Sequence, residues 1–87
     1  MATQLIETPR GCKIEVPGDA YLDGRDFEAD PSLTVGRINL FTQPESGRYL
    51  HHLKHGTRVN VLEAQRTGDV VWFYVRNGRR AGWVRWM

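Results

Sequence analysis

The chain has 87 residues, a length that predicts one domain with a modest hydrophobic core and little room for a deep, water-excluded active site. It contains one cysteine, Cys12, so no internal disulfide can form, and a small domain without disulfides is more typical of a reducing cytosol than of secretion. No apolar run has the length of a membrane span, and residues 1–10 lack the apolar stretch of a signal peptide. We therefore expect a cytoplasmic protein without a membrane partner.

The net charge of +2 is unevenly distributed along the chain. Residues 1–35 contain seven acidic and three basic side chains, whereas residues 36–87 contain nine basic and three acidic ones. Eight of those nine cations are arginines, whose planar guanidinium binds carboxylates and phosphates through paired hydrogen bonds. This asymmetry predicts either an acidic segment folded near a basic body or two faces that meet different partners.

Residues 1–34 are predicted to form an N-terminal extension. Cys12, Ile14 and Val16 alternate with charged residues, a pattern typical of a half-buried strand. Residues 18–34 are acidic and irregular in pattern, with Asp23-Gly24 and Asp30-Pro31 as turn signals, which predicts a long loop. We expect this extension to pack on the rest of the chain or to complete its sheet.

Residues 35–87 are predicted to form a small all-β barrel, because period-two alternation dominates and helical periodicity is nearly absent. Residues 65–69 are predicted to form a polar hairpin loop, and Asn77-Gly78 is the strongest hairpin signal in the chain. The five predicted strands cover residues 37–41, 49–53, 57–63, 70–76 and 81–86.

Three pieces of this region, in their order and spacing, resemble a bacterial SH3 (SH3b) domain: residues 38–44, 53–62 and 72–84, the last ending in Gly82-Trp83-Val84. The resemblance covers more than half of the chain and implies an SH3-like five-stranded barrel. SH3b domains are often cell-wall targeting modules attached to hydrolases, so the resemblance makes peptidoglycan one candidate ligand.

The strand over residues 70–76 carries the main candidate site. Val71, Phe73 and Val75 share one face of the strand, and Trp72 and Tyr74 share the other. If the Val-Phe-Val face points inward, the other two rings form an exposed or half-covered aromatic pair. The alternative is that residues 1–34 fold over this pair and bury it.

Arginines lie close to this pair in the sequence, and aromatic rings beside arginines are typical of protein interfaces. On the last strand, Trp83 and Trp86 fall on opposite faces, and we expect Trp86 to be the exposed one. The predicted partner-binding residues are Trp72, Tyr74, Arg76, Arg79, Arg80 and Trp86.

The remaining chemistry-bearing residues favour structural roles. His51, His52 and His55 have a spacing that suits zinc on a helix, but adjacent residues of a strand point to opposite faces, so no metal site is expected. Cys12 is interpreted as a small buried hydrophobe, and no catalytic signature is present. We expect a protein that is not an enzyme and has no cofactor.

The sequence therefore predicts an adaptor or accessory protein that docks a protein partner with an acidic or mixed surface, as a monomer or weak homodimer. Two other classes stay open, a peptidoglycan-binding module and a nucleic-acid-binding barrel. The acidic segment, with Asp23, Asp26, Glu28 and Asp30, is a hypothetical built-in competitor for the site.

Overall fold

The computed structural model describes residues 3–7, 13–22, 37–45 and 47–86, and these residues form an all-β fold with no helix among them. Cys12 and the acidic residues at 23, 26, 28 and 30 lie outside the described residues, so the predictions made for them lie outside as well. The strands are β1 Gln4–Glu7, β2 Lys13–Val16, β3 Gly18–Tyr21, β4 Arg37–Phe41, β5 Tyr49–Lys54, β6 Arg58–Thr67, β7 Val70–Asn77 and β8 Arg80–Trp86.

The strands form two antiparallel sheets. One is the β1–β2 pair, and the other has six strands in the order β3-β6-β7-β8-β4-β5. The five strands predicted after residue 35 are confirmed in their order as β4 to β8. The end of β3 is tied to the turn after β5, because Leu22 N donates to Thr57 O at 3.0 Å and Gly56 N donates to Leu22 O at 2.7 Å. These bonds bring the two outer strands of the sheet toward each other in a small barrel-like fold.

The single strand predicted in the N-terminal extension agrees with β2. The structure adds two further strands there, β1 and β3. The prediction of an irregular loop from residue 18 is wrong at its start, because β3 pairs with β6 along Gly18–Tyr21. The sequence of β3 has low strand propensity, so pairing with a long neighbour decides its structure. Asp19 on this strand accepts hydrogen bonds from Arg58 and Asn60.

Both hairpin turns differ from the prediction. Thr67 pairs with Val70, so β6 continues through most of the expected loop, and the turn consists of Gly68 and Asp69. In the next hairpin Asn77 still pairs with Arg80, which places the turn at residues 78 and 79, one residue later than predicted. The glycine that starts each turn has a positive φ, 61° and 58°, which a residue without Cβ adopts easily.

A β-bulge in β6 allows residues on both sides of it to pack against the core. The register shifts between Val61 and Glu63, so Leu62 is the extra residue and is 40% exposed. Before the bulge Val61 is buried, and after it Ala64 packs against the same core. Such a bulge bends the strand and increases its twist, which allows the sheet to curl around the core.

The core lies on the face of β7 that the alternation predicts. Val71, Phe73 and Val75 are essentially fully buried, so this prediction is confirmed. The prediction that Trp86 is exposed is wrong: it is 6% exposed, belongs to the core and meets Phe73 edge-on at a centroid distance of 6.2 Å. The other buried members of the core are Val16, Leu22, Ile38, Leu40, Leu53, Val59, Val61 and Val84.

The variant Gly82→Ala tests how closely β8 and β4 approach each other. A Cβ built at this position lies 2.9 Å from Leu40 Cβ and 3.2 Å from Phe41 O, so Gly82→Ala forces these strands apart. We expect it to lower the free energy of unfolding by about 1–3 kcal/mol, as overpacking does, measured by urea denaturation. The control is Gly68→Asn. A Cβ at position 68 meets open space, and Asn tolerates the positive φ of this turn. Equal unfolding midpoints for the two variants would contradict the close approach.

Candidate functional site

Four aromatic side chains form a row across the face of the sheet opposite the core. Tyr49 of β5 pairs with Phe41 of β4, Phe41 pairs with Trp83 of β8, and Trp83 pairs with Tyr74 of β7. The row exists because alternation turns the neighbours of these residues inward, Leu40, Val84 and Phe73 among them. We call Tyr49, Phe41, Trp83 and Tyr74 the aromatic row.

The row is held by ring contacts and is only partly covered. The Phe41 and Tyr49 rings meet edge-on at 6.4 Å, and the Tyr74 and Trp83 rings are tilted by 49° at 5.4 Å. Tyr49 is 51% exposed, and the other three side chains are half-buried. Aromatic pairs of this kind add roughly 0.5–1.5 kcal/mol beyond their buried area, so the rings are kept in place while their outer surfaces stay accessible.

Trp72 lies on the same face of β7 as Tyr74, at the strand position paired with Arg85. The prediction that its ring is exposed or half-covered is wrong, because the side chain is 5% exposed. Phe41 packs edge-on against it at 5.8 Å and 82°, and the ring lies outside the core cluster. Tyr74, its predicted companion, is half-buried as expected. The predicted pair is therefore split into one buried and one accessible ring.

The predicted arginines surround the turn between β7 and β8, and all three are exposed. Arg76 Nε donates to Gly78 O at 2.9 Å, and Arg80 Nη1 donates to His52 O of β5 at 3.4 Å. Arg79 occupies the turn itself. The structure thus brings Tyr74 and the three arginines to one region and places Trp86 on the core face.

The histidines of β5 have separate environments. The Tyr49 hydroxyl is hydrogen-bonded to His52 Nδ1 at 3.1 Å, whereas His51 Nε2 is buried and has no hydrogen-bond partner among the described residues. Burial, followed by the charge of Arg80, lowers the pKa of His51 below its ordinary value of 6.5. Within residues 3–7, 13–22, 37–45 and 47–86, no three His, Cys, Asp or Glu side chains could hold a metal ion together.

Two depressions border the aromatic row. A cleft of about 350 Å³, which we call the Trp72 cleft, is lined by Phe41, Glu45, Val70, Trp72 and Arg85. A wider groove of about 660 Å³ lies beside Trp83, with Pro17 and Leu62 among its lining residues. The row and the cleft therefore form one continuous, partly apolar surface.

The predicted partner-binding residues leave out six members of this surface: Phe41, Tyr49, Trp83, Glu45, Val70 and Arg85. A signal for Phe41 was present, because Ile38 and Leu40 alternate toward the core and place the next residue on the outer face. Tyr49 carries no such signal, since the β4–β5 register shifts between Leu40 and Phe41. Glu45 has a positive φ of 63°, which is uncommon for this residue type and has no signature in the sequence.

Comparisons with known proteins found no matching family model, no similar curated protein and no similar solved structure. Among the described residues there is no helix with the length and apolar character needed to cross a bilayer.

The lowered pKa of His51 predicts how stability depends on pH. Below about pH 6.5 the unfolded chain binds a proton at this residue before the folded chain does, so acidification favours unfolding. We expect the urea midpoint of the wild-type protein to fall between about pH 7.5 and pH 5, and to fall less in His51→Gln. The same pH dependence in His51→Gln as in the wild type would contradict this assignment.

Proposed function

We propose that this protein is a non-catalytic interaction module that docks an acidic protein partner through the aromatic row and the arginines beside it. The single observation that carries the proposal is a row of four aromatic side chains, one exposed and three half-buried, on the face opposite the core. Rigid aromatic rings supply large contact area at a low cost in conformational entropy, which is why they dominate the binding energy of many protein interfaces.

The charge near the row favours an acidic partner. Arg76, Arg79 and Arg80 are exposed around the β7–β8 turn, and Arg85 lies next to Trp72 in the register of β7 and β8. Their guanidinium groups retain donors beyond the contacts they make within the chain, since each has five N–H bonds. Carboxylates of a partner would meet these groups at the rim, while its apolar side chains would cover the rings.

The resemblance of residues 35–87 to bacterial SH3 domains is part of this proposal, as is a cytoplasmic adaptor role. It is supported by the order of strands β4 to β8 and by the short turns between β6, β7 and β8. Peptidoglycan and single-stranded nucleic acid are the competing ligands, because both can stack on aromatic rings or meet arginines. Weak self-association through the same face is a further alternative.

The test compares row variants with matched controls in retention of partners from native lysate. We expect Tyr49→Ser and Arg79→Glu each to weaken binding of the retained partner by about tenfold or more, because they remove hot-spot area and a rim charge. The controls are Tyr21→Ser, at an exposed ring on β3, and Lys13→Glu, at an exposed cation on β2. The affinity of the purified partner is then measured by titration calorimetry at low and high salt.

Equal binding by row variants and controls would contradict the docking face. Saturable binding of single-stranded DNA or of isolated peptidoglycan that Tyr49→Ser abolishes, without retention of any protein, would replace the proposal by one of the competing classes. A wild-type sedimentation profile that depends on concentration, and that Tyr49→Ser restores to monomer, would assign the face to self-association instead.

A further inference from the structure

Trp72, one of the residues that line the Trp72 cleft, has a buried hydrogen-bond donor that the described residues leave unused. The indole Nε1 of Trp72 is fully buried and donates to no acceptor among these residues. The residue as a whole is 5% exposed. Buried polar groups of folded proteins nearly always have a partner, because leaving one unpaired costs its full desolvation. Because Trp72 lines the cleft, a ligand there that brings an acceptor would satisfy this N–H.

The residues that line the cleft define what the ligand must look like. Phe41 and Val70 provide apolar walls, and Arg85 provides a cation from the strand position paired with Trp72. The low polarity of the walls strengthens any hydrogen bond made inside the cleft. A volume of about 350 Å³ accommodates one side chain, not a folded surface.

We propose that the Trp72 cleft is the anchor subsite of the docking face and takes the side-chain carboxylate of an acidic residue in the partner. This inference rests on the proposed function and adds the chemical group that the site selects. One carboxylate oxygen accepts the indole N–H of Trp72, and the charge of the group faces the Arg85 guanidinium. The methylene groups of the ligand side chain pack against Phe41 and Val70.

A carboxylate fits the cleft better than a cation does. A cationic side chain would face Arg85 and would leave the indole N–H without an acceptor. Arg85 already makes contacts within the chain, and a ligand carboxylate would share the five N–H donors of its guanidinium with them. Entry to the buried N–H requires a side chain at the rim to rotate, and Arg85 and Glu45 are the long, flexible side chains among the lining residues.

The charge of Glu45 distinguishes an acidic ligand from a basic one. Its exposed carboxylate lies at the cleft on the turn after β4, and it repels an incoming carboxylate. Removing this charge strengthens binding of an acidic side chain, whereas it would weaken binding of a basic one. Charge variants of Glu45 therefore separate the two ligand classes by direction, not only by magnitude.

The test observes the indole N–H directly by ¹H–¹⁵N NMR of the intact chain. The three tryptophans give three indole signals, assigned with Trp72→Phe and Trp83→Phe. The probe is a capped Gly-Glu-Gly tripeptide, and its neutral match is capped Gly-Gln-Gly. We expect the Trp72 Nε1–H signal to move downfield and saturate with the acidic peptide, while the Trp86 signal in the core stays in place.

Two charge variants of the cleft complete the design. We expect Arg85→Gln to lower the affinity for the acidic tripeptide by about fivefold, because it removes an attractive charge. We expect Glu45→Gln to raise the affinity by about the same factor, because it removes a repulsive one. The exposed arginine outside the cleft provides the control, Arg48→Gln, which leaves the affinity unchanged. Backbone signals in the same spectra show that each variant is folded.

An equal response to the neutral peptide, an unmoved Trp72 signal, or weaker binding in Glu45→Gln would overturn the carboxylate subsite. If Tyr49→Ser and Arg79→Glu abolish partner binding while the Trp72 signal stays silent, the docking face stands and the subsite fails. If the Trp72 signal responds as expected but the row variants bind the partner normally, the subsite stands and the proposed docking face fails.

Discussion

The edge-on contact between Phe73 and Trp86 is the interaction on which the rest of the molecule depends. It joins β7 and β8 within the core at a centroid distance of 6.2 Å and fixes which face of both strands points inward. Because side chains alternate along a strand, every second residue on these strands must then lie on the opposite face. A shift of one residue would bury Tyr74 and expose Phe73. The outward-facing aromatic row is thus a geometric consequence of the way the core is packed.

The same constraint explains why accessible aromatic rings persist in so small a protein. A single layer of core cannot cover both faces of a six-stranded sheet, so the outer face must be stabilised by its own contacts. Phe41 performs this function twice, because it packs against both Trp72 and Tyr49. The outer surfaces of Tyr49, Trp83 and Tyr74 stay available after these contacts are made. Ordered but accessible rings are the condition that a hot spot requires, since a mobile ring would lose its entropy on binding.

Local patterns in the sequence predict much of the fold. The Val-Phe-Val face of β7 follows from alternation alone, and the order of β4 to β8 follows from the spacing of turns. The hairpin turn is displaced by one residue because Gly78 takes the first turn position, while the Asn77 side chain donates to Arg58 O of β6 instead. The strand β3 could not be predicted, because its few residues acquire strand structure only by pairing with β6.

The errors at the candidate site arise from contacts between distant strands. The burial of Trp72 depends on Phe41, which reaches it only because β4 lies beside β8. The burial of Trp86 could have been inferred, since Val84 lies on the same face of β8 and is fully buried. Its position near the end of the sequence wrongly favoured exposure. The Trp72 cleft could not be predicted at all, because its lining residues come from three strands, β4, β7 and β8, and from the turn after β4.

Photo-CIDNP NMR, which excites only tyrosine, tryptophan and histidine rings that solvent reaches, tests the central claim most directly. The account predicts strong polarisation of Tyr49 and Tyr21, none of Trp72 or Trp86, and selective loss of the Tyr49 signal when the partner is added. Strong polarisation of Trp72 or Trp86, or a Tyr49 signal that the bound partner leaves unchanged, would contradict it.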